Sequence, residues 1–379
     1  MPPDAAIDPQ RLLDLFLTLV QIDSPTGQEA EIGRHLAGRL RGLGCAVSQD
    51  SAGNLIARLP GQGEATLLLS AHMDTVGSDT GIRPLLRDGV VYSDGRTILG
   101  ADDKSGVAAI LEALTVLQAH PDWAHPPLEI VITVSEEVGL TGAKQVDTGQ
   151  LTAAWGVVLD AGGPIGTMVY TAPSQRVLDI TVLGKKAHAG AEPEKGINAI
   201  VVAAAAIVAM PLGRIDAETT ANIGVIAGGE ATNIVPDRVT MRGEARSRNL
   251  ERLDAQLTAM TTALEQAAAA HNAQVEIAVR HSYETYCITP DQPAYRAAQQ
   301  AITQLGFPFR PKPSGGGTDG NIYTAAGIPC VVLSTGMADV HTTAEHIAVQ
   351  DLVDSARVLI TLICQQVAGV PLYQGGHDD

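Results

Sequence analysis

A histidine and an aspartate lie two positions apart where an apolar segment of the sequence ends. The segment is the leucine run 67–69, and the two polar residues are His72 and Asp74. The run predicts a buried strand, and side chains two positions apart on a strand share a face. An imidazole beside a carboxylate can supply one metal ligand and the group that orients its ring. The sequence therefore predicts that this strand delivers part of a metal site.

The same pattern, an apolar segment followed by acidic residues or histidine, recurs along the chain. The residues that follow such segments are Asp102 and Asp103, Glu136 and Glu137, Asp160, and His341. Gathered without cations, their carboxylates would repel one another and raise each other's pKa values. Divalent cations remove that cost, and two imidazoles with three carboxylates suit zinc, with manganese or cobalt also acceptable. We therefore expect two metal ions about 3.5–4 Å apart that share one carboxylate, held by His72, Asp102, Glu137, Asp160 and His341.

Each of these residues has a more ordinary interpretation when it is considered alone. Asp102 precedes a helical sequence and could be an N-cap. The pair Glu136 and Glu137 could form a solvated turn. His346 lies five residues after His341 and competes with it as the ligand. Only the repetition of the pattern favours a metal site, and the absence of an HExxH pattern argues against a single-zinc protease helix.

Composition and charge narrow the classes of partner. A formal net charge of -17 argues against nucleic acid, because binding a polyanion requires a basic surface. The longest apolar run, residues 200–212, is shorter than the roughly 20 residues that span a bilayer. Four cysteines occur without a CxxC pair. With no signal-peptide pattern at the start, we expect free thiols in a cytoplasmic protein that does not bind membranes.

The order of apolar segments predicts two domains. Strand-like and helical segments alternate over residues 1–175 and again over 285–379, which predicts a discontinuous α/β catalytic domain with its site at the carboxyl edge of the sheet. Residues 176–284 instead show a β-α-β-β-α-β order, which predicts an inserted antiparallel sheet with two helices on one face. Residues 26–29 form a capping box that predicts the start of a helix.

Five ordered motifs resemble those of the M20 family of dinuclear zinc peptidases, and most closely its peptidase T-like branch. They are HMDTV from His72, GADDKSG from Gly100, SEEVGLTGA from Ser135, LDAGG from Leu159 and HTTAEHI from His341. The resemblance covers nearly the whole chain. It implies a zinc-peptidase-like mixed sheet flanked by helices, with the insert acting as a lid and as the dimerisation domain of a homodimer.

The resemblance also assigns roles to the predicted ligands. Asp102 would be the carboxylate shared by both metals, followed by a cis peptide bond. His72 and Asp160 would complete one metal site. Glu137 and His341 would complete the other.

Three further residues receive catalytic roles from the resemblance. Asp74 would hold the ring of His72. Glu136 would be the general base that takes a proton from the attacking water and passes it to the leaving amine. His188, in a glycine-containing loop of the insert, would hydrogen-bond the developing oxyanion, reaching a neighbouring subunit's site in dimeric relatives.

The substrate would be a short peptide, with tripeptides expected. By resemblance Asn233 and Arg246 would hold substrate, and Arg246 would bind the terminal carboxylate of the peptide. The loop at Gly316 and Gly317 would recognise the peptide backbone. Peptidase T proper has Arg where this chain has Gly315, which argues against strict tripeptide specificity. The competing functions are an amide deacylase of the same family that cleaves N-acyl amino acids, and a non-catalytic peptide- or metal-binding protein.

Overall fold

The structure, a computed structural model, describes residues 3–63 and 65–367. Its α-helices are α1 (Pro9–Val20), α2 (Ala30–Gly42), α3 (Ala101–Ala119), α4 (Ala199–Ala209), α5 (Leu250–Ala270), α6 (Pro293–Gln304), α7 (Asp319–Ala325) and α8 (Val349–Cys364). Its β-strands are β1 (Ala46–Gln49), β2 (Leu55–Leu59), β3 (Thr66–His72), β4 (Leu85–Arg87), β5 (Val90–Tyr92), β6 (Leu128–Thr133), β7 (Ala153–Ala161), β8 (Thr167–Ala172), β9 (Ser174–Leu183), β10 (Ala187–His188), β11 (Gly213–Arg214), β12 (Thr219–Gly228), β13 (Ile234–Val235), β14 (Arg238–Ser247), β15 (Gln274–Tyr283), β16 (Tyr286–Cys287), β17 (Arg310–Pro313), β18 (Cys330–Ser334) and β19 (His346–Ala348).

These elements belong to two compact units. The first comprises the chain up to Thr171, together with Cys287–Ser314 and the part from Thr318 onwards. The second comprises Ala172–Tyr286 and Gly315–Gly317. The predicted insert, residues 176–284, falls within the second unit, which also takes in part of the glycine loop.

The first unit is built on a mixed sheet. Within the described residues its strand order is β1-β2-β6-β3-β7-β18-β8-β16, with β17 beside β8. The strands β6, β3, β7 and β18 run parallel, so their carboxyl ends meet at one edge. Helix α3 packs against β3 and β7 and contacts α1 and α8. This arrangement confirms the predicted class, a mixed α/β sheet flanked by helices.

The central strands are covered on both faces, which explains their nearly continuous apolar sequences. Every residue of β6 is buried, as is all of β3 after Thr66. Leu68 packs with Tyr323 of α7, and Tyr323 also shares a hydrogen bond with Ser70 of β3. Burial on both faces leaves the strand ends as the places where polar side chains can meet.

Two local predictions in this unit are wrong. Residues 98–100 belong to no strand, and α3 begins at Ala101, so no strand delivers Asp102. Helix α2 begins at Ala30, and its N-cap residue Glu29 makes no side-chain capping bond. The capping-box residues serve tertiary contacts instead. The Thr26 hydroxyl donates to Asp74 Oδ2 at 2.8 Å, and Glu29 Oε1 accepts from the backbone N–H of Ser135 at 3.0 Å.

The second unit is a five-stranded antiparallel sheet in the order β11-β12-β14-β9-β15. Its core joins the sheet to α4 and α5, with Ile180, Met241, Val202 and Leu264 among the buried side chains. The predicted β-α-β-β-α-β order corresponds to β9, α4, β12, β14, α5 and β15. Among the helices of residues 3–63 and 65–367, none combines the length and hydrophobicity that a membrane span requires.

Candidate metal centre and active site

The five predicted metal ligands form one continuous series of close contacts. Asp102 lies at the centre, with Oδ1 3.1 Å from His72 Nε2 and Oδ2 3.2 Å from His341 Nε2. Asp160 Oδ1 lies 3.8 Å from His72 Nε2, and Glu137 Oε1 lies 3.0 Å from His341 Nε2. Each histidine is therefore paired with its own carboxylate, and the two pairs share Asp102.

The elements of the first unit explain this convergence. His72 ends β3 and Asp160 lies near the end of the adjacent parallel strand β7. Glu137 follows β6, the other neighbour of β3. Asp102 lies in the first turn of α3, where the Asp102–Asp103 peptide bond is cis, as the resemblance implies.

The donor set fits divalent cations. Ligand atoms of His72, Asp102 and Glu137 all lie within 4.8 Å of one another. Glu137 Oε1 is buried, and its contact with His341 Nε2 at 3.0 Å lacks hydrogen-bond geometry. A buried carboxylate oxygen without a well-formed hydrogen bond is rare in native proteins and calls for another partner. A cation bound between these side chains would supply that partner.

The neighbouring Asp103 also lies within 4.8 Å of His72 and Asp160, but its oxygens are already engaged. Oδ2 accepts from the backbone N–H of His72 at 3.2 Å, and Oδ1 accepts from that of Gly106 at 3.1 Å. Asp103 therefore joins the end of β3 to the start of α3, and we assign it no ligand role.

Without cations, the negative charge of the clustered carboxylates favours protonated imidazoles. The carboxylates of Asp102 and then of Glu137, each close to Nε2 of His341, raise the pKa of its imidazole to about 10. Burial opposes protonation of His72, but hydrogen bonds to Asp102 and Asp74 outweigh it and raise its pKa. Burial, reinforced by Asp102, raises the pKa of Asp160. Because a ligand imidazole must be neutral, a cation that enters must displace these protons.

Asp74 positions the ring of His72 and also the backbone of Glu136 and Glu137. Its Oδ1 lies 3.3 Å from His72 Nδ1 and accepts from the backbone N–H of Glu136 at 3.0 Å. Its Oδ2 accepts from the N–H of Glu137 at 3.3 Å and from the hydroxyl of Thr26. One buried carboxylate thus fixes both the end of β3 and the turn that follows β6.

Glu136 is buried beside the cluster. Burial raises the pKa of its carboxyl group, and the negative charges of Asp319 and Glu137 raise it further, against the opposing effect of His72. A carboxylate whose pKa is raised takes up a proton more readily, as a general base must.

The geometry favours His341 over His346. His341 lies in the loop after β18 with φ 64°, and 47% of its side chain is exposed. His346 lies in β19, where its Nδ1 is 3.0 Å from the carbonyl oxygen of Ala344 and its ring stacks on Tyr92. Only His341 contacts the predicted carboxylates.

The second unit brings His188 and Asn233 together. His188 is exposed at the end of β10, and its Nδ1 accepts from the backbone N–H groups of Gly190 and Ala191 at 3.1 and 3.0 Å. The N–H of Ala189 donates to the backbone oxygen of Asn233 at 3.0 Å. These contacts fix the ring of His188 and join its loop to the segment that carries Asn233.

The other two predicted substrate elements also belong to the second unit. The guanidinium of Arg246 is paired with its neighbour on β14, since Nε and Nη2 each donate to Glu244 at 2.9 Å. Gly316 and Gly317 join this unit rather than the first. A Cβ at Gly317 would lie 2.6 Å from Cε2 of Tyr283, so only glycine allows the loop to pack on this ring.

Two buried carboxylates near the cluster escaped the sequence analysis. Glu345 is 1% exposed and binds the backbone just before Asp102. Asp319 accepts from the hydroxyl of Thr133 at 2.5 Å, and burial raises its pKa to about 6. Glu345 lies inside the HTTAEHI motif, and Asp319 lies two residues after Gly317. The sequence around them gives no sign of the partners that these carboxylates contact.

Known proteins share both the sequence pattern and the fold. The profile of Peptidase family M20/M25/M40 matches residues 68–365. YqjE of Bacillus subtilis (strain 168) is 42% identical over 366 residues, which are 94% of this chain and 98% of YqjE. The crystal structure of aminopeptidase PepT from Bacillus cereus ATCC 10987 is 41% identical, with a TM-score of 0.85 over 95% of this chain and 99% of that one. The crystal structure of a tripeptidase from Staphylococcus aureus subsp. aureus mu50 is also 41% identical, with a TM-score of 0.89 over 95% and 98% of the two chains.

Proposed function

We propose that this chain, which belongs to peptidase family M20/M25/M40 and is a peptidase, acts as a zinc-dependent aminopeptidase on short peptides, tripeptides included. One observation carries the proposal. Asp102 lies between two histidine–carboxylate pairs, with Glu136 buried beside them. The two solved relatives described above, an aminopeptidase and a tripeptidase, support the choice of substrate.

The contacts divide the donors between two cation sites. His72 and Asp160 would hold one cation, Glu137 and His341 the other, and Asp102 both. Mixed imidazole and carboxylate donors suit zinc, with manganese or cobalt as substitutes. When bound, such a pair would polarise the scissile carbonyl and lower the pKa of the attacking water.

The protein's own proton transfer is assigned to Glu136. Its carboxylate would take a proton from the attacking water and pass it to the leaving amine. Because Asp74 binds the backbone of Glu136 and also contacts the ring of His72, base and ligand would keep a fixed relation to each other. A non-catalytic binder has no use for such a base.

Stabilisation of the developing oxyanion is assigned to His188, either of this subunit or of a neighbouring one. Its Nδ1 accepts two backbone hydrogen bonds, so in the neutral ring Nε2 must carry the proton. An Nε2–H donor is what an oxyanion requires. The tautomer therefore supports the proposed role.

Asn233, Arg246, Gly316 and Gly317 are the proposed substrate contacts. Nε and Nη2 of Arg246 already donate to Glu244. A peptide carboxylate would therefore have to share the guanidinium with Glu244 or displace Glu244 from it. Competition of this kind would weaken recognition of the peptide's carboxyl end. Like the glycine at position 315, it argues against strict selection of tripeptides.

We further propose a homodimer formed through the second unit, which the resemblance also assigns a lid role. Helix α4 is apolar on every side, and Val208 is 87% exposed, with Val201 and Ile226 about half exposed. Large apolar side chains exposed on one unit are typical of a surface that contacts another protein chain. Light scattering should give the mass of two chains, and Val208→Asp should shift it toward one. A single-chain mass for the unmodified protein would refute the dimer.

We also propose that the protein is cytoplasmic and that its partner is a peptide, not nucleic acid or a membrane. The four cysteines are all free thiols, as expected in a reducing compartment. Exposed Cys287 would be the first to react in an oxidising one.

The test uses the purified chain, stripped of metal and then supplied with zinc. We expect cleavage of Ala-Ala-Ala that releases free alanine and stops on addition of a chelator. N-acetyl-alanine should be left intact, because an aminopeptidase requires a free amino terminus. Cleavage of the acetylated substrate alone would establish the deacylase instead, and cleavage of neither would establish a binding protein.

A further inference from the structure

The segment that carries the shared ligand Asp102 has no strand to hold it. Residues 98–100 lie in no sheet, so their backbone N–H groups need other partners, because buried N–H groups are nearly always paired. Oε2 of Glu345 accepts from the N–H of Leu99 at 2.7 Å and from that of Gly100 at 2.8 Å. Oε1 of the same carboxylate accepts from the N–H of Asp102 at 3.0 Å. One side chain therefore replaces a strand partner.

Glu345 is itself held in the loop that carries another proposed ligand, His341. It lies four residues after His341, and its N–H donates to the carbonyl of Thr342 at 3.2 Å. Its carbonyl accepts from the N–H of Ser93 at 3.1 Å. His341 is half exposed and has a left-handed backbone, so little packing holds it directly. The Glu345 carboxylate is the link between the two ligand-bearing segments.

We infer that Glu345 is a positioning residue of the metal centre: its carboxylate holds residues 99–102 against the His341 loop and so sets the separation of Asp102 from His341. The inference rests on the proposed function, because it takes the cluster to be a two-cation site. Glu345 is not one of the five proposed ligands. Its effect should fall mainly on the site formed by Asp102, Glu137 and His341, because Asp103 binds the backbone N–H of His72 and so separately holds this end of α3 near the other site.

Glu345→Gln removes the carboxylate with little change of shape. An amide has one oxygen where the carboxylate has two, so its NH₂ group must face either the N–H groups of Leu99 and Gly100 or that of Asp102. Donor then faces donor, and the segment must shift. Loss of partners that orient metal ligands lowers metal affinity by about 10–100-fold. We expect a decrease of that size at the site that His341 completes, and a smaller decrease at the site that His72 completes.

Glu129→Gln is the matched control. Glu129 is also 1% exposed, and its Oε2 accepts from the N–H groups of Thr152 and Ala153 at 2.8 and 3.0 Å. It lies at the amino end of β6, whereas the metal cluster lies beyond the carboxyl end. The control therefore loses a comparable buried carboxylate without touching the site.

The experiment is calorimetric titration of the metal-stripped full chains with zinc, accompanied by thermal unfolding with and without zinc. Two tight sites in the unmodified chain and in Glu129→Gln, with one of them 10–100-fold weaker in Glu345→Gln, would establish the positioning role. Two unchanged sites in Glu345→Gln, or equal weakening in Glu129→Gln, would overturn it while leaving the proposed function intact. Fewer than two sites in the unmodified chain would refute the proposed two-metal function and this inference with it. If Glu345→Gln does not fold, Glu345→Asp, whose carboxylate is too short to reach all three N–H groups, is judged by the same criterion.

Discussion

Replacement of Gly106 by alanine should damage the metal centre through the packing of α3 on β7. A Cβ at this position would fall well inside van der Waals contact with the carbonyl oxygen of Leu159 and would lie 2.5 Å from Asp103 Oδ1. Neither neighbour can move freely. The first is backbone of β7 next to Asp160, and the second belongs to a carboxylate whose other oxygen, Oδ2, accepts from the N–H of His72.

The size of the effect follows from this geometry. Ordinary contact begins at about 3.4 Å, so α3 and β7 must separate by roughly 1 Å. Overpacking of this kind lowers the free energy of unfolding by about 1–3 kcal/mol. The higher helix propensity of alanine offsets about 1 kcal/mol of that loss. The same movement separates Asp102 on α3 from Asp160 on β7. A displacement of about 1 Å in a catalytic site can lower the rate about 100-fold.

Urea unfolding followed by circular dichroism measures the first quantity, and kcat/KM on Ala-Ala-Ala with saturating zinc measures the second. Gly38→Ala is the control, because Gly38 is an exposed residue of α2 where a Cβ meets nothing within 4 Å. It should stabilise the chain by about 0.4–1 kcal/mol and leave activity unchanged. A Gly106→Ala protein that matched this control in both measurements would refute the reasoning.

Four further predictions concern the site. Glu136→Gln should retain zinc, measured by mass spectrometry, and lose about 10²–10⁴-fold in kcat because an amide cannot take the proton; an unchanged kcat would remove Glu136 from the mechanism. Zinc binding near pH 7.5 should release a proton from His341, whose pKa is raised to about 10 in the metal-free chain, and calorimetry in buffers of different ionisation enthalpy would contradict this by showing no release. Because the pKa of His341 is raised from 6.5 to about 10, its ion pair with Asp102 stabilises the metal-free chain fully below pH 6.5, and unfolding should show that contribution lost as pH rises through 10. Gly315→Arg, placed where a Cβ meets nothing within 4 Å, should raise the kcat/KM ratio of Ala-Ala-Ala over tetra-alanine about tenfold, and an unchanged ratio would count against a specificity role for this position.

The convergence of the proposed metal donors was predictable because three of them follow strands that are neighbours in the sheet. His72, Glu137 and Asp160 follow apolar segments that form three adjacent parallel strands. The carboxyl ends of such strands must meet, so residue type and position were enough to bring the three side chains together. The family resemblance, inferred from five motifs, is confirmed by the profile match and by the relatives of known structure.

The supporting residues were not predictable, because their partners are distant in sequence. Glu345 binds Leu99 across 246 positions, and Glu29 binds Ser135 across 106. Nothing near either residue signals such a partner. The error at Thr26 has the same cause: its spacing from Glu29 satisfies the local capping rule, but both side chains are used by strand ends far along the chain.

Anomalous scattering at the zinc edge, from crystals grown with zinc, would locate the two proposed cations. We expect two peaks about 3.5–4 Å apart. One should contact His72 and Asp160, the other Glu137 and His341, and both should contact Asp102. A single peak, or zinc bound away from these five side chains, would contradict this expectation.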